Sequence, residues 1–204
     1  MISRQDVGRT NQKLRTRRAI IEAAADLVRE NCTPTVAEAA ERALVSRATA
    51  YRYFPTQQSL LIEVQADAAQ LSPDEVLAGA GDDVAERVET VSRAISRMVL
   101  ADEALFRNQM RISQELWFGR NGDTPVREGR RLAWIDQALA PAATHLPETT
   151  LAALRNALAT VIGVEPVISL RDVCGLSPQA TEDSLAWTAR TIVNAVSAPP
   201  NSDR

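Results

Sequence analysis

Amphipathic periodicity typical of helices is the feature that most constrains what this chain can fold into. From residue 14 to residue 198, apolar residues recur three or four positions apart in one segment after another, and prolines or glycines separate the segments. Alanine, which has the highest helix propensity, fills 33 of the 204 positions, whereas aromatic residues make up only 4%. The pattern predicts an all-α fold with about nine helices and excludes an all-β fold.

Basic residues are concentrated at the beginning of the sequence. Residues 1–54 carry 10 basic and 6 acidic side chains, a charge of +4, whereas residues 55–204 carry 13 and 20, a charge of −7. Residues 1–18 alone hold 6 basic side chains and 1 acidic one. Such an asymmetry indicates an end that binds anions, either nucleic acid or a membrane surface, attached to an acidic body.

Composition restricts the class of protein further. The 45% of hydrophobic and 24% of charged residues are ordinary for a chain that buries a core. No apolar stretch approaches the roughly 20 residues of a membrane span, and the first residues do not resemble a secretory signal. Cys32 and Cys174 are far apart in the sequence and predict reduced thiols rather than a disulfide framework. We therefore expect a cytoplasmic protein without membrane contact.

The sequence divides into an arm, a small helical module and a larger helical region. Residues 1–13 mix basic and polar residues without an apolar period, which predicts a disordered basic arm. Such an arm is either simply solvated or contacts the backbone or minor groove of DNA. Residues 14–56 predict a three-helix module. Residues 57–204 predict longer amphipathic helices, including one over 148–173 with a kink at Pro166.

Two short helices joined by a tight turn are predicted within residues 35–53. Thr35 and Glu38 have the spacing of a capping box at the start of the first helix, and Ser46 can cap the second. This is the pattern of a helix-turn-helix, whose second helix can enter the major groove of DNA. The apolar residues of the same segment would equally suit the core of any small helical bundle.

The residues of the second short helix suit DNA chemically. Ser46, Arg47 and Thr49 offer hydroxyl and guanidinium donors to base edges and phosphates, and arginine is the commonest reader of guanine. Ala48 keeps the helix slim, and the phenol of Tyr51 can pack on the module while its hydroxyl reaches a phosphate. The alternative is that these polar residues form a solvated face beside aromatic core residues.

The segment Val45-Ser46-x-x-Thr49-x-Tyr51-x-Tyr53-Phe54, followed by Leu60-Leu61 and preceded by Thr35-Val36-x-x-x-Ala40, resembles the DNA-binding signature of the tetracycline-repressor (TetR) family. The similarity covers residues 14–61. It implies an all-α homodimeric regulator of transcription, most often a repressor that a small molecule releases from a pseudo-palindromic DNA operator. Together with the basic arm, it implies DNA contacts by Arg15, Thr35, Ser46, Arg47, Ala48, Thr49, Tyr51, Arg52, Tyr53 and Gln57.

Two positions depart from the family pattern. Leu44 stands in the turn where the family usually has glycine, so the turn has to form without a residue that readily adopts a positive φ. Gln57 stands where a lysine usually contacts phosphate. Glutamine keeps a hydrogen bond but loses the charge, so we expect weaker DNA binding with a smaller salt dependence.

The C-terminal region of that family binds an effector and forms the dimer, so the resemblance implies both for residues 57–204. Six residues of this region either line an apolar effector pocket or belong to the core: Met98, Phe106, Met110, Trp117, Phe118 and Trp134. A dimer seam, of which some members must be core, could comprise Leu154, Leu158, Val161, Ile162, Ile192, Val193 and Val196. Arg107 and Arg111 could face an acidic effector. Surface pairs with Glu103 and Glu115, four residues away, are the alternative.

Motifs of catalysis do not occur in the sequence. It contains no G-x-S-x-G, no phosphate-binding glycine loop and no Cys/His set for zinc, and His145 is its single histidine. We therefore expect neither an enzyme nor a bound cofactor or metal. Besides the DNA-bound regulator, a helical adaptor that keeps the fold but binds proteins stays open, because Leu44 and Gln57 depart from the family pattern.

Overall fold

A computed structural model describes residues 4–30, 32–68, 72–119 and 130–197. Over these ranges the secondary structure is helical and contains no strand, which confirms the predicted all-α class. The α-helices are α1 (Arg4–Arg29), α2 (Val36–Arg42), α3 (Arg47–Tyr53), α4 (Gln57–Ala68), α5 (Pro73–Val76), α6 (Val84–Ala101), α7 (Glu103–Gly119), α8 (Arg130–Leu139), α9 (Glu148–Val161), α10 (Val164–Asp172) and α11 (Pro178–Ser197), with a 3-10 helix at Ala140–Thr144.

Helix α1 begins at Arg4 rather than at residue 14. The prediction of a disordered arm is therefore wrong for residues 4–13, and residues 1–3 lie outside the described residues. Residues 4–13 lack an apolar period, but they contain no proline that would stop a helix. Once the amphipathic part of α1 is formed, each further residue adds one backbone hydrogen bond without a new nucleation cost.

The predicted helix 148–173 is broken at Gly163, not at Pro166. Helix α9 ends at Val161 and α10 begins at Val164, with a bend of 43° between them. Gly163 has a φ of 137° and a ψ of −165°, a conformation that only glycine adopts readily. Pro166 lies in the first turn of α10, where the missing N–H would have had no partner within the helix.

Contacts divide the chain into two compact units that differ from the predicted domains. The N-terminal unit consists of Met1–Gln70 with Arg107–Leu116, and the C-terminal unit of Leu71–Phe106 with Trp117–Arg204. The predicted boundary after residue 56 is wrong because α4 packs on α1 and buries Leu60, Leu61 and Val64. Part of α7 also belongs to the N-terminal unit, which no local sequence pattern indicated.

The core of the N-terminal unit is built around α1. This helix packs against α2, α3 and α4. Several of the buried residues at these contacts are alanines, which allow helix backbones to approach closely. The buried side chains of this core include Ile20, Ala24, Val28, Val36, Ala39, Ala40, Ala50 and Phe54. The packing leaves one face of α3 exposed.

The core of the C-terminal unit is dominated by the contact between α6 and α11, the most extensive helix pair in this unit. Helix α6 contributes Val88, Val91, Ile95 and Val99, and α11 contributes Leu185, Ala186, Ala189 and Val193. Burying one large aliphatic side chain stabilises a fold by about 1.5–3 kcal/mol. Helix α6 therefore anchors α11 along its length, while α8, α9 and α10 complete the unit.

Candidate nucleic-acid interface

The start of α2 is held by the predicted capping box. The backbone N–H of Thr35 donates to Glu38 Oε2 at 2.7 Å, and the N–H of Glu38 donates to Thr35 Oγ1 at 3.2 Å. These contacts satisfy backbone donors that a helix leaves open at its N-terminus. The hydrogen bonds from the backbone and the hydroxyl of Thr35 lower the pKa of the Glu38 carboxyl. Thr35 is exposed, at the first position of the two-helix motif.

The turn between α2 and α3 uses a leucine in the left-handed conformation. Leu44 has a φ of 55° and is 95% exposed. Its N–H donates to Glu41 O, and the N–H of Val45 donates to Ala40 O, which is the Schellman arrangement that usually has glycine in the place of Leu44. The turn thus forms at the cost of local strain, and the exposed leucine side chain gains nothing from burial.

Ser46 caps α3, as predicted. Its Oγ accepts from the N–H of Thr49 at 3.2 Å and lies 2.8 Å from Thr49 Oγ1, to which it donates. The hydroxyl oxygen of Thr49 therefore accepts from Ser46. Ser46 and Thr49, both predicted to contact DNA, are thus joined to each other in the cap of α3.

Helix α3 presents an exposed face with an arginine and a tyrosine one turn apart. Of its seven residues, Ala50 is the buried one. The side chain of Arg47 is 71% exposed and Tyr51 is 47% exposed. Positions four apart lie on the same face of a helix, so the guanidinium and the phenol can reach one ligand together. Ala48 and Arg52 are exposed as well.

Aromatic residues fasten the end of α3 to the rest of the module. Phe54 is buried, and the guanidinium of Arg17 lies 5.7 Å from its ring centroid while pairing with Glu63 at 2.7 Å. Tyr53 is half-buried with its ring centroid 6.5 Å from that of Phe54. The alternative of an aromatic core therefore holds for Phe54, and Tyr53 lies between core and surface.

Gln57 has an internal partner that sequence reasoning missed. Its Nε2 donates to Pro34 O at 3.1 Å and to Thr33 O at 3.3 Å. The amide thus joins the start of α4 to the segment before α2, and it is turned toward these carbonyls rather than presented as a phosphate donor. Arg15, the other predicted contact outside α2 and α3, is exposed on α1.

Glu41 is the acidic neighbour of the exposed face. Its Oε2 lies 3.8 Å from Nη2 of Arg47, and the two side chains are 78% and 71% exposed. Exposed pairs at such a distance contribute about 0–1 kcal/mol. Because the two residues belong to different helices, no spacing in the sequence pointed to this pair.

The residues predicted to line an effector pocket do not share one environment. Phe106 and Trp134 are buried, and Met98 and Met110 are half-buried. Trp117 and Phe118 are 49% and 73% exposed, with ring centroids 5.1 Å apart. The prediction is wrong for these two residues as the lining of an enclosed cavity, because they lie in the last turn of α7, where their rings contact each other and remain at the surface.

The residues predicted for a dimer seam are mostly core. Four of them are 0–3% exposed within one chain, namely Leu154, Leu158, Ile162 and Val193. These four pack inside the C-terminal unit, so the prediction of a dimer seam is corrected for them. Val161 and Ile192 are half-buried, and Val196 is 38% exposed. Trp187 on α11 is 69% exposed, although the sequence analysis did not assign it to the seam.

The described residues include no single helix that could span a membrane and no cluster that could hold a metal ion. Among them, no single helix is long and apolar enough to cross a membrane, although α9 and α10, bent by 43°, pass that test of length and composition as a pair. In the same part of the chain, no group of three or more His, Cys, Asp or Glu residues could hold a metal ion. Cys32 and Cys174 are free and exposed.

Comparisons with models of protein families, with curated proteins and with solved structures found no match to this chain.

Proposed function

We propose that this chain is a DNA-binding protein that reads double-stranded DNA through α2, the turn 43–46 and α3. The observation that carries the proposal is the exposed face of α3, on which Arg47 and Tyr51 lie one turn apart. A helix of seven residues with one buried side chain contributes little to the core. Its polar groups match the donors that phosphates and guanine edges accept.

Within this class we propose a homodimeric regulator of the TetR type, most often a repressor, acting in the cytoplasm. The signature over residues 35–61 supports the assignment, as do the all-α fold and the length of the C-terminal unit. One reading helix is small, and a two-fold dimer would place two such helices on half-sites about 34–36 Å apart. The exposed Trp187 and Val196 on α11 are surface that a second copy could cover.

Release from DNA would follow from a small effector that prefers the DNA-incompetent arrangement of the dimer. Shifting the population from 99% competent to 99% incompetent requires a preference of about 5.5 kcal/mol. Of the residues predicted to contact an effector, Phe106 and Trp134 are buried and Met98 is half-buried, so these are the ones that a ligand entering the C-terminal unit would contact.

Selection from random double-stranded DNA tests the proposal. We expect the full chain to enrich duplexes with two symmetric half-sites, and Arg47→Ala to weaken binding to them roughly 10- to 100-fold. Arg190→Ala removes the same charge from α11, where Arg190 pairs with Glu89 at 2.7 Å, and serves as the control with unchanged DNA affinity. If no duplex is enriched at low salt, the chain is not a DNA reader. If duplexes are enriched but Arg47→Ala binds them as tightly as Arg190→Ala, α3 is not the helix that reads them.

The second candidate is a helical adaptor that binds a protein instead of DNA. Two observations favour it: Gln57 uses its amide inside the module, and the carboxylate of Glu41 lies beside Arg47. A carboxylate at that place disfavours a phosphate by about the energy of one exposed charge pair. The same selection separates the candidates, because an adaptor would enrich no DNA sequence.

A further inference from the structure

We propose that Asn108 and Arg111 on α7 are positioning residues for the helix-turn-helix. They hold residues 32–35, the described part of the connection between α1 and α2, and thereby the start of α2. The expected effect on DNA binding rests on the proposed function. The contacts themselves lie within the N-terminal unit and are independent of DNA.

Asn108 lies on α7 and caps the C-terminal end of α1. It is 4% exposed, and its Nδ2 donates to Val28 O at 2.5 Å and to Cys32 O at 3.2 Å. The last four carbonyls of a helix lack an intrahelical donor, and the N–H of Cys32 donates to Leu27 O instead. Asn108 therefore supplies the donor that the carbonyl of Val28 needs in a buried place, where a missing partner is destabilising.

Arg111 joins Asn108 to the connection itself. Its Nε and Nη2 donate to Asn108 Oδ1 at 2.9 and 2.6 Å, and Nη2 also donates to Thr33 Oγ1 at 2.6 Å. By holding the amide oxygen, Arg111 turns the NH₂ group of Asn108 toward α1. The remaining nitrogen, Nη1, pairs with Glu115, so the expected surface pair exists together with an internal role.

The connection is held from two sides. Arg111 binds the side chain of Thr33, and Gln57 on α4 binds the carbonyls of Thr33 and Pro34. The next residue is Thr35, whose capping box begins α2. Side chains that read a ligand are effective only when supporting hydrogen bonds fix the element that carries them. Loosening the connection should therefore lower DNA affinity although neither Asn108 nor Arg111 belongs to α2, the turn 43–46 or α3.

The first experiment measures DNA affinity of the full chain on a duplex that the wild type selects from a random library. We expect Arg111→Ala and Thr33→Val each to weaken binding about 5- to 10-fold. The double variant should bind no more weakly than Arg111→Ala, because each single change already removes the hydrogen bond between Arg111 and Thr33. Thr33→Val removes one exposed hydrogen bond and leaves Asn108 with its partners, so its thermal unfolding midpoint should stay near that of the wild type. Gln114→Ala, an exposed change on the same helix, is the control and should leave the affinity unchanged.

The second experiment needs no DNA. The amide of Glu38 donates to Thr35 Oγ1, and we expect its hydrogen exchange to become at least about fivefold faster in Arg111→Ala, while amides in the middle of α1 stay protected. Unchanged exchange of Glu38, or multiplied losses of affinity in the double variant, would overturn the inference. If the wild type selects no DNA but Glu38 exchanges faster in Arg111→Ala, the positioning role stands and the proposed function fails.

Discussion

Arginines on α3 and on the α6–α11 pair have opposite surroundings. Arg47 on α3 lies 3.8 Å from its nearest carboxylate, and both partners are more than two-thirds exposed. On α6, Arg97 and Arg93 lie 2.7 and 3.1 Å from Glu182, whose side chain is only 6% exposed. The hydrogen bond from Arg97 lowers the pKa of Glu182, and Arg93 adds to the effect.

The difference teaches that partners decide what an arginine can do. If a guanidinium leaves a nearly buried carboxylate, the carboxylate remains charged and unpaired in a poorly hydrated site, which is costly. Arg47 can leave Glu41 for a phosphate or a base at little cost, because an exposed pair is worth about 0–1 kcal/mol. Arg93 and Arg97 therefore stabilise the C-terminal unit, whereas Arg47 is available to bind a ligand.

The largest loss of stability is expected from Gly163→Ala in the C-terminal unit. A side chain at this φ is strained, and its Cβ would overlap with Nη1 of Arg131, which pairs with Glu165 at 2.6 Å. We expect the free energy of unfolding to fall by about 2–3 kcal/mol in urea denaturation.

Gly175→Ala is the matched control for this change. Gly175 has a φ of 63°, but no atom lies within 4 Å of the Cβ that alanine would add. It should lose only about 1 kcal/mol, the cost of the left-handed conformation alone. Equal losses at both glycines would show that neither the φ of 137° nor the contact with Arg131 adds to the cost at Gly163.

Glu182→Gln should cost less and should depend on pH. Because the pKa of Glu182 is lowered in the folded chain, its ion pairs stabilise the fold above the unfolded pKa of about 4.3, and this contribution disappears as the pH falls through the folded pKa. We expect Glu182→Gln to lower the free energy of unfolding by about 1–2 kcal/mol at pH 7. Below about pH 4 its free energy of unfolding should differ less from that of the wild type.

The comparison for Glu182 is Asp26→Asn, which removes an exposed pair with Arg29 on α1. This variant should stay within about 0.5 kcal/mol of the wild type in the same urea titrations. A difference between Glu182→Gln and wild type that is the same at pH 3 and pH 7 would contradict the charged role of Glu182.

The smallest expected effect is a gain of stability from Leu44→Gly in the N-terminal unit. Glycine adopts the φ of 55° without strain, and the leucine is 95% exposed, so no burial is lost. After the entropy cost of glycine in the unfolded chain, we expect a gain of about 0.5–1 kcal/mol in thermal or urea unfolding. Leu44→Ala keeps a Cβ and should gain nothing. If alanine stabilises as much as glycine, strain at this turn is not the reason.

The local parts of the fold could be predicted from the sequence. The capping box of Thr35 and Glu38, the cap by Ser46 and the helical class all depend on residues within about four positions of one another, and the structure confirms them. The departure at Leu44 was also visible in the sequence, and the structure shows that this residue adopts a positive φ.

The long-range parts could not be predicted. Gln57 and Thr33 are 24 positions apart, and Asn108 and Val28 are 80 apart, so no periodicity connects them. The apolar pattern of α9 also does not tell a core residue such as Leu158 from a dimer contact, because both require the same apolar side chain.

By itself, the sequence determined the helical class, the caps of α2 and α3 and the residues that α3 can offer to DNA, since these follow from interactions between near neighbours in the chain. Tertiary structure alone decided that Arg47 is loosely paired while Arg97 is bound to Glu182, and that Asn108 caps a distant helix. The physical reason is that the availability of a polar group depends on the partners that folding brings to it. Residue type and spacing do not specify those partners.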